Sequence, residues 1–212
     1  MPQNRRVRKL RVITSALLTI FAIAFGGHIT AVPATAASVG GQCYHFQSGL
    51  DAICAGDDKN FDYCTPYGWP AYVGNQFGAA MAYLDDVTVL VDTYAPTCGT
   101  QTDIGGYLDG SPEYNLRGTT IQGAAVCTKP MHYWGSGTCD QSSMIIHSSL
   151  IGTGSQFRKT LCHEIGHFVG LRHYSAPGAI AASCLVTGSS TRSTYSSDEI
   201  ASINRVYTAV FG

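Results

Sequence analysis

The sequence predicts a single α/β domain over residues 38–212, and three observations carry that prediction. Two stretches, 71–86 and 197–210, bring apolar residues back near the 3.6 spacing of an amphipathic helix. Three shorter runs, 87–91, 119–128 and 144–150, are rich in β-branched and apolar residues but too short for helices, which reads as strand. A further helix, 156–169, follows the last of them. A segment of this size suits one domain with its own core.

Residues 1–37 stand apart. Arg5, Arg6, Arg8, Lys9 and Arg11 form a basic start, and no acidic residue occurs before Ala37. Residues 12–25 are almost wholly apolar, yet too few for a comfortable membrane span. Ala34-Thr35-Ala36 supplies the small-x-small pattern of a signal-peptidase site, with cleavage expected after Ala36 or Ala37. The expectation is a signal peptide at 1–37 and an exported, extracellular remainder with no membrane association after cleavage.

In the exported part, 39–69 is rich in Gly, Cys, Asp and Tyr without a sustained period, and is expected to be a disulfide-pinned loop region. Within it, Asp57-Asp58-Lys59-Asn60-Phe61-Asp62 has the oxygen ligands to hold calcium. It lacks the glycine and terminal glutamate of an EF-hand loop, so a solvated loop is the expected reading. The helix at 71–86 places Tyr72, Gln76, Phe77, Ala80, Met81 and Leu84 on one face, read as core, despite Gly74 and Gly78. The run Val87-Thr88-Val89-Leu90-Val91 is expected to be a buried strand. Between the strands at 119–128 and 144–150 lies a Gly-rich loop with Trp134, Gly135 and Gly137, which a Cys127–Cys139 bridge could close. Ser155 is the expected N-cap of the helix at 156–169. The final helix would present Ile200, Ile203, Val206, Tyr207 and Val210 to the core.

The chemistry concentrates at 163–173, which reads H-E-x-x-H-x-x-G-x-x-H. From the frequencies of His and Glu in this chain, H-E-x-x-H alone is expected about 0.003 times by chance. On a helix His163 and His167, four apart, share a face and can reach one metal ion. Glu164, one position round, can reach a water beside the metal instead. Gly170 can take the left-handed conformation that ends a helix, and the turn would return His173 as a third ligand. Three ligands leave a position open, the mark of a catalytic rather than a structural zinc. His45, His132 and His147 have no partner at ligand spacing and read as structural. No G-x-S-x-G elbow supports a serine hydrolase.

Without residues 1–37 the chain keeps eight basic and fourteen acidic side chains, a formal net of −6. That acidic balance argues against nucleic acid or an anionic membrane as partner. All eight cysteines lie in the exported part, none in a C-x-x-C pair, and suit up to four disulfides. Cys162, next to His163, and Cys184, beyond the last ligand, would clamp the active helix to the loop below it if joined.

The eleven-residue run resembles the signature of the metzincin clan of zinc endopeptidases. In size the chain is similar to the small secreted bacterial snapalysin-type peptidases, whose third ligand is aspartate where this chain has His173. The resemblance implies a mixed, mostly parallel sheet above a cleft with the active helix at its floor. Metzincins carry a methionine in a turn beneath the three histidines, whereas this chain has none after Met144. Leu185, in Ser183-Cys184-Leu185-Val186, stands as its equivalent and matches it in volume. Some relatives place a tyrosine ligand two residues further on, where this chain has Thr187, so that role is not carried over.

Together these features predict a secreted, monomeric endopeptidase acting on protein or peptide substrates. One Zn²⁺ would be held by His163, His167 and His173, with Glu164 as general base. A substrate would lie extended along an edge strand, for which 119–126 is the candidate. The rival reading is a secreted binding or toxin-like module that keeps zinc only as a brace, which would need a fourth protein ligand.

Overall fold

The computed structural model describes residues 55–111, 116, 118–133, 136–150, 153–173, 183–188 and 190–211. The proposed signal peptide, His45, Cys43 and Cys54 lie outside the described residues. Among the described residues no helix is long and apolar enough to cross a membrane.

Among the described residues six strands form one sheet: β1 (Ala55–Gly56), β2 (Asn60–Cys64), β3 (Val91–Tyr94), β4 (Ile104–Leu108), β5 (Gly123–Tyr133) and β6 (Ser136–Ile146). The order is β1-β6-β4-β2-β3, every pair along it parallel, with β5 antiparallel to β6. The mixed, mostly parallel sheet implied by the resemblance is therefore present. Three α-helices are also described: α1 (Ala71–Val87), α2 (Ser155–Phe168) and α3 (Ser197–Phe211).

The segment expected to be loop contains β1 and β2. Asn60-Phe61-Asp62-Tyr63-Cys64 alternates polar and apolar residues, and Phe61, Tyr63 and Cys64 are buried. Between β1 and β2 the Asn60 N–H donates to Asp58 Oδ1 at 2.6 Å, a local turn bond of the kind aspartate favours. β4 was not foreseen either, because Gly105 and Gly106 look like loop residues. A side chain on Gly106 would come within 3.0 Å of Phe77 and Trp69, so the glycine lets those rings lie on the strand.

The run 87–91 is not a buried strand. α1 continues to Val87, and Thr88 ends it by donating its hydroxyl to Leu84 O at 2.7 Å. Only Val91 enters β3, an edge strand whose residues are mostly exposed, while Leu90 alone of the run is deeply buried. On α1 the buried face is Val73, Phe77, Met81 and Leu84, and Tyr72 faces solvent. The predicted strands at 119–128 and 144–150 become a longer hairpin shifted in register: residues 119–122 precede β5, and Ser148–Leu150 forms a 3-10 turn after β6. Gly137 and Cys139 belong to β6 rather than to a loop, whereas Trp134 and Gly135 lie outside the described residues. The Cys127–Cys139 bridge forms across this hairpin, and Cys64–Cys98 ties β2 to the segment after β3.

The core runs continuously through all three helices and the sheet. Phe157, Leu161 and Ile165 of α2 pack in it with Phe77 and Met81 of α1 and Ile203 and Tyr207 of α3. Each such side chain removes enough apolar surface from water to contribute about 1.5–3 kcal/mol. Tyr207 also accepts a hydrogen bond from the Gly56 N–H at 2.8 Å and meets Phe61 edge to face, which anchors α3 on β1 and β2. Val210, placed on the core face by periodicity, is exposed because α3 extends past the core there.

Candidate metal centre

α2 sets the site, because burying Phe157, Leu161 and Ile165 turns the opposite face of the helix towards a cavity. Its N-cap is Gly154, at a positive φ of 57°, and Ser155 is the first helical residue rather than the cap. At the other end Gly170 has φ 87°; its N–H donates to His167 O and the Leu171 N–H to Gly166 O. This is a Schellman ending, which only a left-handed residue permits, with Leu171 buried as the accompanying apolar contact.

That reversal brings His173 back. Its Nε2 lies 2.9 Å from Nε2 of His163 and 2.9 Å from Nε2 of His167. Among the described residues these three form a set of ligand atoms close enough for one ion, all within 4.8 Å of one another. The opposite ring nitrogens test whether the set suits a metal. His163 Nδ1 donates to Cys184 O and His167 Nδ1 to Leu171 O, each at 2.8 Å. With Nδ1 carrying the proton, Nε2 offers a lone pair, as metal-binding imidazoles require. Burial first, then the neighbouring His167 and Lys159, push the His163 pKa down to about 3, so its ring is neutral at ordinary pH. The donor set fits zinc.

Glu164 is buried beside the cluster and lines the same cavity of about 550 Å³. It packs against the start of β5: a Cβ on Gly123 would fall 2.6 Å from Glu164 Oε1. Thr120, Ile121 and Gln122 continue this wall, and Thr187 and Gly188 form the facing rim. The predicted substrate edge at 119–126 thus divides into a loop wall, 120–122, and the first residues of the edge strand β5.

The floor is built by the turn at 183–188. Leu185 is fully buried and packs beneath Gly166, where an added Cβ would stand 2.8 Å from Leu185 Cδ2. The leucine therefore lies directly under the active helix, where the resemblance places a methionine. Cys162 and Cys184 are bridged, as their positions suggested. Ser183 Oγ donates to Glu199 Oε1 at 2.8 Å and accepts from the Leu185 N–H at 3.0 Å. Glu199 Oε2 in turn accepts from the Ser196 N–H at 2.7 Å, joining this turn to the start of α3. Tyr195 donates to Cys162 O at 2.9 Å. The roles of Ser183, Tyr195 and Glu199 leave no mark in the sequence, since their partners are 16 to 33 residues distant.

Two further cavity residues, Gly123 and Lys159, carry no distinguishing signal in the sequence. Lys159 is only 5% exposed, one helical turn before His163. Burial lowers its pKa, against the pull of the Glu164 charge. His147 lies outside the three-histidine set, its Nδ1 2.8 Å from Ser149 Oγ and 3.7 Å from Asp109 Oδ2.

A comparison with curated proteins returns no match. The family model described as Matrixin matches residues 74–208, from within α1 to near the end of α3 and including the whole metal cluster. Because that match spans well over half of the chain, the protein belongs to the matrixin family and is a zinc metallopeptidase.

Proposed function

We propose that this matrixin is an exported, monomeric endopeptidase that cleaves polypeptides lying extended beside β5, with Glu164 as general base. The observation that carries this reading is the convergence of three imidazole Nε2 atoms in a cavity that also holds Glu164 and borders an edge strand. Bound at His163, His167 and His173, zinc would supply Lewis acidity towards the scissile carbonyl and a lowered pKa for water. Glu164 takes the proton from the attacking water and passes it to the leaving amine, which departs only when protonated. The edge of β5 that no described strand pairs offers main-chain hydrogen bonds that hold a substrate straight, as an added strand. Three protein ligands among the described residues, rather than four, support catalysis over a zinc brace. Export is supported by the basic-apolar-small segment at 1–37 and by disulfides, which persist in oxidising compartments.

The test is metal analysis and casein digestion with protein purified from culture medium. One zinc per chain is expected, with activity lost to a chelator and restored by zinc. Glu164→Gln should lower turnover about 10²–10⁴-fold while the zinc stays bound. Undiminished activity in that variant would refute the assigned base, and protein retained in the cell with its first 37 residues would refute export.

A further inference from the structure

We propose that Lys159 makes this peptidase selective for a substrate with an acidic side chain next to the scissile bond. The inference rests on the peptidase reading above. Lys159 lines the same cavity as His163 and Glu164, 5% exposed, on the first turn before the metal ligands. Its hydrogen-bond contact among the described residues is His163 Nδ1, at 3.5 Å. That nitrogen already gives its proton to Cys184 O at 2.8 Å, and has no lone pair for the ammonium. Two donors therefore face each other, and no salt bridge among the described residues involves Lys159. Glu164 stands five residues on along the same helix and lines the same cavity.

A buried ammonium with its N–H groups unspent is costly unless an acceptor arrives. The cavity it lines is where a substrate side chain beside the reacting carbonyl would enter. A glutamate or aspartate carboxylate there would accept charge-assisted hydrogen bonds from Nζ; the walls at Thr160, Thr187 and Gly123 are neutral, and Glu164, which also lines the cavity, is the carboxylate it must outcompete. An apolar side chain would instead leave the ammonium desolvated, so the same residue rejects as well as attracts. The selectivity is local: it opposes the net negative charge of the exported chain, which slows acidic substrates only at long range.

The experiment digests a mixed peptide library with the zinc-loaded protein, reading residues on both sides of each cut. It then compares kcat/KM for matched peptides carrying Glu, Gln, Leu or Lys at the preferred position. Glu should exceed Gln by about 10- to 100-fold, the range of a charge-assisted hydrogen bond. Lys159→Met should abolish that ratio while raising kcat/KM for Leu, and Lys159→Arg should retain the preference for Glu. Cleavage without any acidic preference in the wild-type protein overturns the role of Lys159 and leaves the peptidase reading intact. Absence of cleavage of every peptide overturns the peptidase reading itself. An acidic preference that persists in a folded, zinc-loaded Lys159→Met protein also overturns the proposal. If that variant does not fold, the wild-type ratio of Glu to Gln decides alone.

Discussion

Gly123 owes its identity to Glu164. A methyl group there would stand 2.6 Å from the carboxylate oxygen and 2.7 Å from Thr160 Cγ2, closer than carbon atoms are found in folded proteins. Gly123→Ala is therefore expected to displace the Glu164 side chain and lower kcat by about 10²-fold. Metal analysis should still find one zinc per chain, because the atoms nearest a methyl group at 123 belong to Glu164 and Thr160, not to the three imidazoles. Leu185 makes a complementary case beneath the helix. Leu185→Ala would empty a fully buried site under Gly166 and cost about 2–5 kcal/mol, read as a lower midpoint in urea. Leu185→Met conserves volume and should cost less than about 1.5 kcal/mol. The second outcome would show that the turn needs apolar bulk at this point rather than sulfur.

At the scale of elements, the site depends on how the turn at 183–188 is held between α2 and α3. The Cys162–Cys184 bridge closes a loop 22 residues long, and the Cys184 carbonyl also orients His163. Replacing both cysteines with alanine should destabilise the fold by about 3 kcal/mol. Loss of the clamp should also weaken zinc binding about 10- to 100-fold, since the acceptor that fixes the His163 ring is no longer tethered. Thermal melts and competition with a chromogenic chelator would measure the two effects, and unchanged zinc affinity would separate the bridge from the metal site. The same scale explains what could be read in advance. α1, α2 and α3 were legible because their apolar stripes recur over several turns. β2 and β4 were not, since five residues with Asn, Asp or paired glycines carry little periodic signal. The run 87–91 misled for the opposite reason: its β-branched residues suit a strand, but the Thr88 bond to Leu84 and the packing of α1 hold its start in the helix end.

Across the whole molecule, the acidic balance of the chain becomes a local cost where the sheet gathers carboxylates. Asp103, before β4, accepts from the Asp62 N–H at 2.6 Å, yet its pKa is raised to about 7. Burial is the main cause; Asp58, Asp57 and Asp62 add to it and the hydrogen bond opposes it. Since the folded pKa exceeds the unfolded one, the folded state binds the proton more tightly. Its contribution to stability is complete below about pH 4 and is lost as the pH rises through 7. With a discount for solvent screening of a half-buried carboxyl, zinc-loaded protein should thus be more stable at pH 6 than at pH 8 by about 0.5 kcal/mol, or about 1–2 °C in Tm. Calorimetry on Asp103→Asn should show a flatter pH dependence; an unaltered slope would assign the effect to other carboxylates. Three candidate metal ligands, the neighbouring glutamate and the stop at Gly170 were all determined by the sequence itself, because a helix fixes the relation between residues one turn apart and glycine alone ends it cheaply in the left-handed region. Only the tertiary structure decided that Gly123 makes room for Glu164, that Glu199 steadies the floor through Ser183, and that Lys159 is buried at the cavity wall. Those relations join residues far apart in the chain, and burial against a distant element leaves no periodic trace in the sequence.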